Sequence, residues 1–316
     1  MILCVSATTG IERTWVVPNF VKGGVFRVQA EKVSPSGKGV NAARAVRTLG
    51  EPVCTTGFTA GRMGRLFARL AEDEGLNGRW VWVVGETRTA VAIHDPVGET
   101  DATLISAPAP AVSREDWVRL HRRVLAEAGK ALMVGFAGSL PSGSPLDEFA
   151  GLVYELGRRG IPVWVDCDGE ALREVLKGRP GGVKINAREA AELTGAAGDS
   201  LTSVHQAADT LRQMGARQVI VTMGDRGALY MGEQECWVVQ PPGVEEFVSS
   251  VGSGDAFLGG LLVGLARGQP VVECLRSAAA AGAANTLTLG GGHFSTADYR
   301  KILPEVRITP FEQFNT

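Results

Sequence analysis

The sequence lacks most of the features that assign a protein at a glance. It has no run of one charge: lysine plus arginine number 32 against 34 aspartate plus glutamate, a net charge of −2. A general nucleic-acid or membrane-surface binder is therefore disfavoured. No window of about 18 uninterrupted apolar residues offers a membrane span. Met1 to Val5 is apolar but has no positive leader, is too short for a signal core and breaks at Ser6 to Gly10. The cysteines, Cys4, Cys54, Cys167, Cys236 and Cys274, are odd in number and far apart, which suits neither a disulfide framework nor a Cys-x-x-Cys site. A reducing cytoplasm is the expected location. Linkers rich in Pro or Ser, low-complexity tracts and internal repeats are missing too. So are three familiar motifs. Neither Lys38 nor Lys130 precedes Ser or Thr as a P-loop lysine would, and there is no H-E-x-x-H and no G-x-S-x-G.

What is present is glycine, 41 residues in 316, close to twice the usual ~7%, and a recurring pairing of periodic helix with short apolar strand. Ser144-Pro145-Leu146-Asp147 reads as a helix start, with Phe149, Leu152, Val153 and Leu156 on one face, Gly160 as terminator and a strand over Ile161 to Val165. Ser203 reads as the cap of a helix with Val204, Ala207, Ala208, Leu211 and Met214 inward, before the strand Val219 to Val221. Ser113 likewise caps a helix that buries Trp117, Leu120, Val124 and Leu125, before Leu132 to Val134. Alternation of this kind predicts an α/β fold with a mostly parallel sheet covered on both faces. Val25 to Val33 and Arg88 to Leu104 instead alternate apolar and polar residues, which predicts a small β lid from about 10–35 and 88–105 on one domain spanning 1–316.

Two glycine clusters carry the chemistry. Ser36-Gly37-Lys38-Gly39-Val40-Asn41-Ala42 formally fits G-x-G-x-x-A. The dinucleotide reading needs an acid at the end of the next strand, yet Val53 to Thr56 runs into Gly57-Phe58-Thr59, so that partner is missing. The second cluster, Val251-Gly252-Ser253-Gly254-Asp255, opens an apolar helix and continues to Gly259-Gly260. Glycines at a helix start turn amides and the positive end of the dipole toward one point, a place for anionic oxygens. A carboxylate there suits ordinary capping and equally suits a base that deprotonates an alcohol attacking phosphorus.

On these motifs the chain resembles the ribokinase-like carbohydrate kinases of the PfkB family, in particular their 1-phosphofructokinase and tagatose-6-phosphate kinase branch. Ser249 to Asp255 matches the signature (D/N)-T-x-G-A-G-D, and Ser36 to Ala43 matches G-G-K-G-x-N-x-A. Gly85-Glu86-Thr87-Arg88, Gly138-Ser139-Leu140-Pro141, Lys184-Ile185-Asn186-Ala187-Arg188-Glu189 and Thr222 to Ala228 follow in the family's order. The resemblance implies a three-layer α/β/α ribokinase-like fold with a small β-sheet lid, and an enzyme using ATP and Mg²⁺ to phosphorylate a ketohexose phosphate, foremost fructose 1-phosphate to fructose 1,6-bisphosphate.

Site residues follow from the same resemblance. Asp255 would be the base, with Gly252, Ser253 and Gly254 holding the moving phosphoryl group. Lys184, Asn186, Glu189, Thr222, Gly224, Gly227 and Asn285 would lie on the ATP side, Asn186 and Glu189 also organising magnesium. Glu12, Gly37, Gly39, Asn41 and Ser139 would meet the sugar, with Lys38, Arg27 and Arg88 as candidates for its existing phosphate, which arginine grips bidentately. The resemblance also implies a homodimer through the lid, with Val28, Val91 and Ile93 as candidates for the shared face. Ala7 to Arg13 departs from the branch's T-P-N-P-A-x-D: both prolines are gone and Glu12 replaces the sugar-binding aspartate. That substitution leaves tagatose 6-phosphate, fructose 6-phosphate and other sugars or nucleosides open as substrates, and a sugar sensor without turnover as the alternative to an enzyme. Ser249 and Ser250 replace a residue pair associated in many relatives with a monovalent cation.

Overall fold

A computed structural model of the chain describes residues 1–98, 101–196, 198 and 200–314. Its strands, in chain order, are β1 (Ile2–Thr8), β2 (Gly10–Val16), β3 (Ala30–Ser36), β4 (Val53–Ala60), β5 (Asn77–Gly78), β6 (Val81–Val83), β7 (Arg88–His94), β8 (Thr103–Ser106), β9 (Met133–Ala137), β10 (Val163–Asp166), β11 (Gly182–Asn186), β12 (Val219–Thr222), β13 (Ala228–Met231), β14 (Cys236–Gln240) and β15 (Arg307–Pro310). The helices are α1 (Lys38–Thr48), α2 (Gly61–Asp73), α3 (Arg114–Ala128), α4 (Leu146–Arg158), α5 (Gly169–Val175), α6 (Ala187–Thr194), α7 (Leu201–Gln213), α8 (Ser253–Ala266), α9 (Val271–Asn285) and α10 (Thr296–Ile302).

The body sheet runs β15-β14-β13-β12-β11-β10-β9-β1-β4-β5, with β6 also paired to β4. From β12 to β4 every neighbouring pair is parallel, and β13 to β15 close one edge antiparallel. β1 is central and wholly buried, as its unbroken apolar start requires. Helices α3 to α7 cover one face, with Trp117, Phe149, Leu172 and Leu211 in its core; α1, α2, α8, α9 and α10 cover the other. This is the expected three-layer ribokinase-like arrangement.

Helix α8 is apolar nearly all round, the pattern of a helix enclosed by others. Gly259 and Gly260 serve that enclosure: a Cβ on Gly259 would lie 2.6 Å from Ala45 Cβ, and one on Gly260 2.7 Å from Ser277 O. They let α1 and α9 approach α8 and take no part in the anion site.

Several boundaries move from their expected places. Ser113 caps α3 in a full capping box with Asp116. Ser144 does not cap α4; its hydroxyl donates to Pro141 O, and Pro145 occupies the N-cap. Ser200, one turn before Ser203, caps α7 by accepting from Ser203 N. A separate four-stranded sheet, order β3-β2-β7-β8, stands where the lid is expected. Its β3 begins at Ala30, however, because the chain after Gly23 and Gly24 finds no neighbouring strand and leaves Val25 fully exposed. Glu99 and Thr100, inside the expected lid segment, lie outside the described residues. Among the described residues no helix is long and apolar enough to cross a membrane.

Candidate active site

The carboxyl ends of β9, β10, β11 and β12 lie side by side, the edge of an open parallel sheet where ligands bind. They deliver Ser139, Asp166, Asn186 and Thr222; Asp166 faces Ala137 and Asn186 faces Thr222 across the ladders. Opposite stands the start of α8. Gly252 is its N-cap at φ 80°, a left-handed conformation that glycine tolerates, and a Cβ there would lie 2.2 Å from Gly291 Cα. A Cβ on Gly254 would come within 2.9 Å of the Lys184 ammonium. Close backbone approach thus requires glycine at 252; in the first turn Ser253 N donates to Ser250 O and Asp255 N to Gly252 O, which leaves the amides of Gly252 and Gly254 without a backbone acceptor among the described residues.

Asp255, in that first turn, is 6% exposed. Burial, reinforced by the nearby Asp166 carboxylate, raises its pKa to about 6 against the opposing pull of Lys38, Lys184 and an Asn41 hydrogen bond. A carboxyl tuned that high near neutral pH has the profile of a general base.

Asp166 went unremarked in the sequence and is the second centre of charge. It is 1% exposed and takes Lys184 Nζ at 2.5 Å on one oxygen and Lys38 Nζ at 3.0 Å on the other. Burial opposes its ionisation, but the two ammonium groups prevail and its pKa lies below the ordinary value. Lys38 loses hydration, yet Asp166, Asp255 and Glu189 together hold its proton more firmly than in water. The expectation that Lys38 grips the substrate's existing phosphate is therefore corrected: its ammonium sits among the carboxylates beside α8, drawn there by a buried anion.

Three further expectations change. Asn41 is turned inward rather than offered to a sugar hydroxyl: at 6% exposure it gives one N–H of Nδ2 to Asp255 Oδ2 at 2.8 Å and accepts at Oδ1 from Arg44 Nη1 at 3.0 Å, which leaves its second N–H as the remaining donor. Asn285 is fully enclosed and does not meet an adenine. Its Oδ1 accepts from Gly292 N at 2.7 Å and its Nδ2 donates to Val251 O and Gly290 O, tying the 290–292 loop to the glycines before α8. Gly37 and Gly39 are glycines because α1 presses on β1: added Cβ atoms would lie 2.6 Å from Ser6 Oγ and from Val5 O.

Asn186 and Glu189 form the capping box of α6, Asn186 Oδ1 accepting from Glu189 N at 2.9 Å and Glu189 Oε2 accepting from Asn186 N at 3.3 Å. Among the described residues no cluster of three or more His, Cys, Asp or Glu is arranged for a metal. This fits magnesium all the same, because that ion keeps much of its water and takes one or two carboxylates together with substrate phosphates. Glu189 retains Oε1 for such a role. Gly224 sits at φ 66° with open space where a side chain would be, after Thr222; Gly227 is instead packed against Val239 O.

On the small sheet, Glu12 is buried beside Ser36 and Thr14, and that burial raises its pKa. Arg88 pairs in register with Gly10, whose missing side chain leaves it room: a Cβ would lie 3.2 Å from Arg88 Cγ. Arg88 is half-buried and makes no ion pair among the described residues, whereas Arg27 is exposed on the connector before β3. Asp101, beyond β7, accepts from Ser249 Oγ at 3.2 Å and from the Ser250 amide and hydroxyl, so the small sheet is fastened to the approach to α8.

Residues 1–297 match the profile of the pfkB family carbohydrate kinases. The chain is 32% identical over 292 residues to a 1-phosphofructokinase of Haemophilus influenzae, covering 92% of each chain. It is 31% identical over 294 residues to a 1-phosphofructokinase of Escherichia coli, covering 93% of each. The crystal structure of phosphofructokinase-2 from Escherichia coli in complex with fructose-6-phosphate superposes with a TM-score of 0.86 at 27% identity, over 96% of this chain and 98% of that one.

Proposed function

The chain belongs to the pfkB family of carbohydrate kinases, and from that premise we propose that it transfers the γ-phosphoryl group of ATP to fructose 1-phosphate, giving fructose 1,6-bisphosphate and ADP. The observation that carries the chemistry is the buried Asp255 carboxylate at the start of α8, its pKa raised to about 6 by burial and Asp166. Asp255 takes the proton of the sugar's free primary hydroxyl as that oxygen forms its bond to the γ-phosphorus; the bond from phosphorus to the bridging oxygen breaks and ADP leaves. The amides of Gly252 and Gly254, which have no backbone acceptor among the described residues, hold the transferring oxygens, and Lys38 and Lys184 balance the charge that gathers there. Asn186 and Glu189 would hold magnesium through its waters, and the ion supplies charge neutralisation on the ATP phosphates. The setting we propose is the cytoplasm.

The likeness to phosphofructokinase-2 and the exchange of the family's aspartate for Glu12 keep fructose 6-phosphate and tagatose 6-phosphate in the comparison. ADP release measured across fructose 1-phosphate, fructose 6-phosphate, tagatose 6-phosphate and fructose decides between them. The highest kcat/KM is expected with fructose 1-phosphate; binding without ADP release on any of them would mean a sensor.

Arg88 is the proposed grip on the existing phosphate, being half-buried and in no ion pair among the described residues, although the charge of Glu12 reaches it. Arg88→Met is expected to raise KM for the sugar phosphate by about 10- to 100-fold, the loss of one charge-assisted bidentate contact, with KM for ATP unchanged. Equal use of fructose and its phosphate by the wild type would contradict this grip.

We further propose a homodimer through the small sheet. Strand β8 is exposed along its whole length at the sheet's edge, with Leu104 53% and Ile105 57% exposed on opposite faces. An uncovered apolar edge strand invites pairing, and a second copy covers it without a new partner type. Val28 shares this exposure, but Ile93 is 7% exposed and packs within its own chain, so it leaves the expected shared face. Light scattering at micromolar concentration is expected to give a dimer, and Ile105→Lys a monomer. A wild-type monomer with full activity would remove the proposal.

A further inference from the structure

Arg44 was not among the functional residues expected from sequence, and its guanidinium binds four residues from separate parts of the fold. It lies one helical turn after Asn41 on α1 and is 4% exposed. Its Nε binds Glu74 Oε2 at 2.7 Å, Nη2 donates to Pro35 O at 2.7 Å, and Nη1 donates to both Gly291 O and Asn41 Oδ1, the latter at 3.0 Å. One planar group thereby joins the end of α2, the end of lid strand β3, the glycine loop behind Gly252 and the residue that touches Asp255.

The consequence lies in what a guanidinium cannot do. Arginine has donors only, so the Asn41 atom that faces it must be the acceptor Oδ1, and the atom left for Asp255 must be the donor Nδ2. A turned amide would set N–H against N–H. A protonated Asp255 would profit from a turned amide, because its O–H could then donate to Oδ1; with Arg44 in place that partner is withheld. The ionised carboxylate needs the donor Nδ2 and so keeps its hydrogen bond with or without Arg44.

We propose that Arg44 is a positioning residue that makes the Asn41–Asp255 hydrogen bond one-directional, keeping Asp255 in its basic form and leaving Oδ1 of Asp255 to the substrate hydroxyl. The inference rests on the reading of Asp255 as the base. The charged groups facing Asp255 are Asp166 from β10, Lys184 from β11 and Lys38 from α1; the titratable groups around Arg44 are Glu74, Glu12, Lys32 and His293, whose pKa burial and the two cations lower to about 3, so that it stays neutral. Of these, Lys32 donates to Leu289 O and His293 lies 3.8 Å from Glu74, so neither can take over the contact with Asn41.

The test is the pH profile of kcat/KM for the sugar phosphate in Arg44→Met. The acid limb is expected to move up by about 0.5 to 1 pH unit, a roughly 2- to 5-fold loss at pH 6 with values near wild type at pH 8. In an Asn41→Ala background the same substitution is expected to add no further shift, since the orientation it controls is gone; a further shift there would show a direct field of the arginine charge and overturn the proposal. Should Arg44→Met not fold, Arg44→Lys serves: one ammonium cannot hold Glu74, Asn41 and two carbonyls at once, and the limb is expected to move the same way by less. A lowered melting temperature with an unmoved limb would mean that Arg44 only braces the fold. If Asp255→Asn retained turnover, the reading of the base would fail instead, and the two failures are thus separable.

Discussion

Asp255→Asn is expected to lower kcat by about 10²- to 10⁴-fold while the KM values for sugar phosphate and ATP stay close to wild type. Asparagine keeps the size and the helix-start position but cannot accept the hydroxyl proton. In the wild type the acid limb of kcat should fall near pH 6, where Asp255 gains its proton; the residual rate of the variant should show no such limb. A second signature has the opposite sign. The folded-state pKa of Asp255 lies above its unfolded value, so the group's contribution to stability is complete below about pH 4 and is lost as pH rises through 6. The neutral variant escapes that loss and should be the more stable protein above pH 6, by up to about 3 kcal/mol for a shift of about two units. Thermal melts at pH 4.5 and pH 8 check it. A variant that turns over normally would reduce Asp255 to a helix cap; one that is inactive and less stable at pH 8 would mean that the carboxylate is held comfortably in its charged form.

The sequence revealed Asp255 because its signal is local: glycines on both sides of a carboxylate at a helix start have few other reasons to occur together. The layers of the fold were legible for the same reason, since the apolar faces of α3, α4 and α7 and the strands that follow them lie in contiguous stretches. What escaped notice depends on residues distant in the chain. Asp166 ends an ordinary apolar strand and acquires its meaning from Lys184 and Lys38, the latter 128 residues away. Asn285 had a plausible place near a nucleotide until the 290–292 loop consumed its amide. Two clues were nonetheless present. Asn41 and Arg44 are three apart on one helix and must be neighbours, and an aspartate at the carboxyl end of a buried parallel strand points to the side of the sheet where ligands bind.

Asp166→Ala is expected to be the most damaging single change to stability around the site. Removing it leaves Lys184, at 5% exposure, without its counter-charge, and breaking a buried pair from one side costs about 3–5 kcal/mol. The melting temperature should fall by several degrees or more. Activity should fall as well, for a reason separate from unfolding. Without Asp166 the two ammonium groups turn to the nearest remaining anion, Asp255, and the like charge that raised its pKa is gone. Both changes lower that pKa, so the acid limb of the remaining activity should move down in pH, opposite to the movement expected for Arg44→Met, and the base becomes weaker at every pH above the limb. A second substitution separates the two effects. Asp166→Ala combined with Lys184→Met removes the stranded charge and should recover much of the lost stability, because an apolar side chain tolerates that site where a lone ammonium does not. It should recover no turnover, because the cation that balances the phosphoryl oxygens has been removed with it. If Asp166→Ala melts with the wild type, Lys184 finds water or another partner at no cost and the buried triad is not a centre of stability. If the double variant regains both stability and rate, the lysine serves the fold alone and the charge at the transferring phosphoryl group is balanced elsewhere.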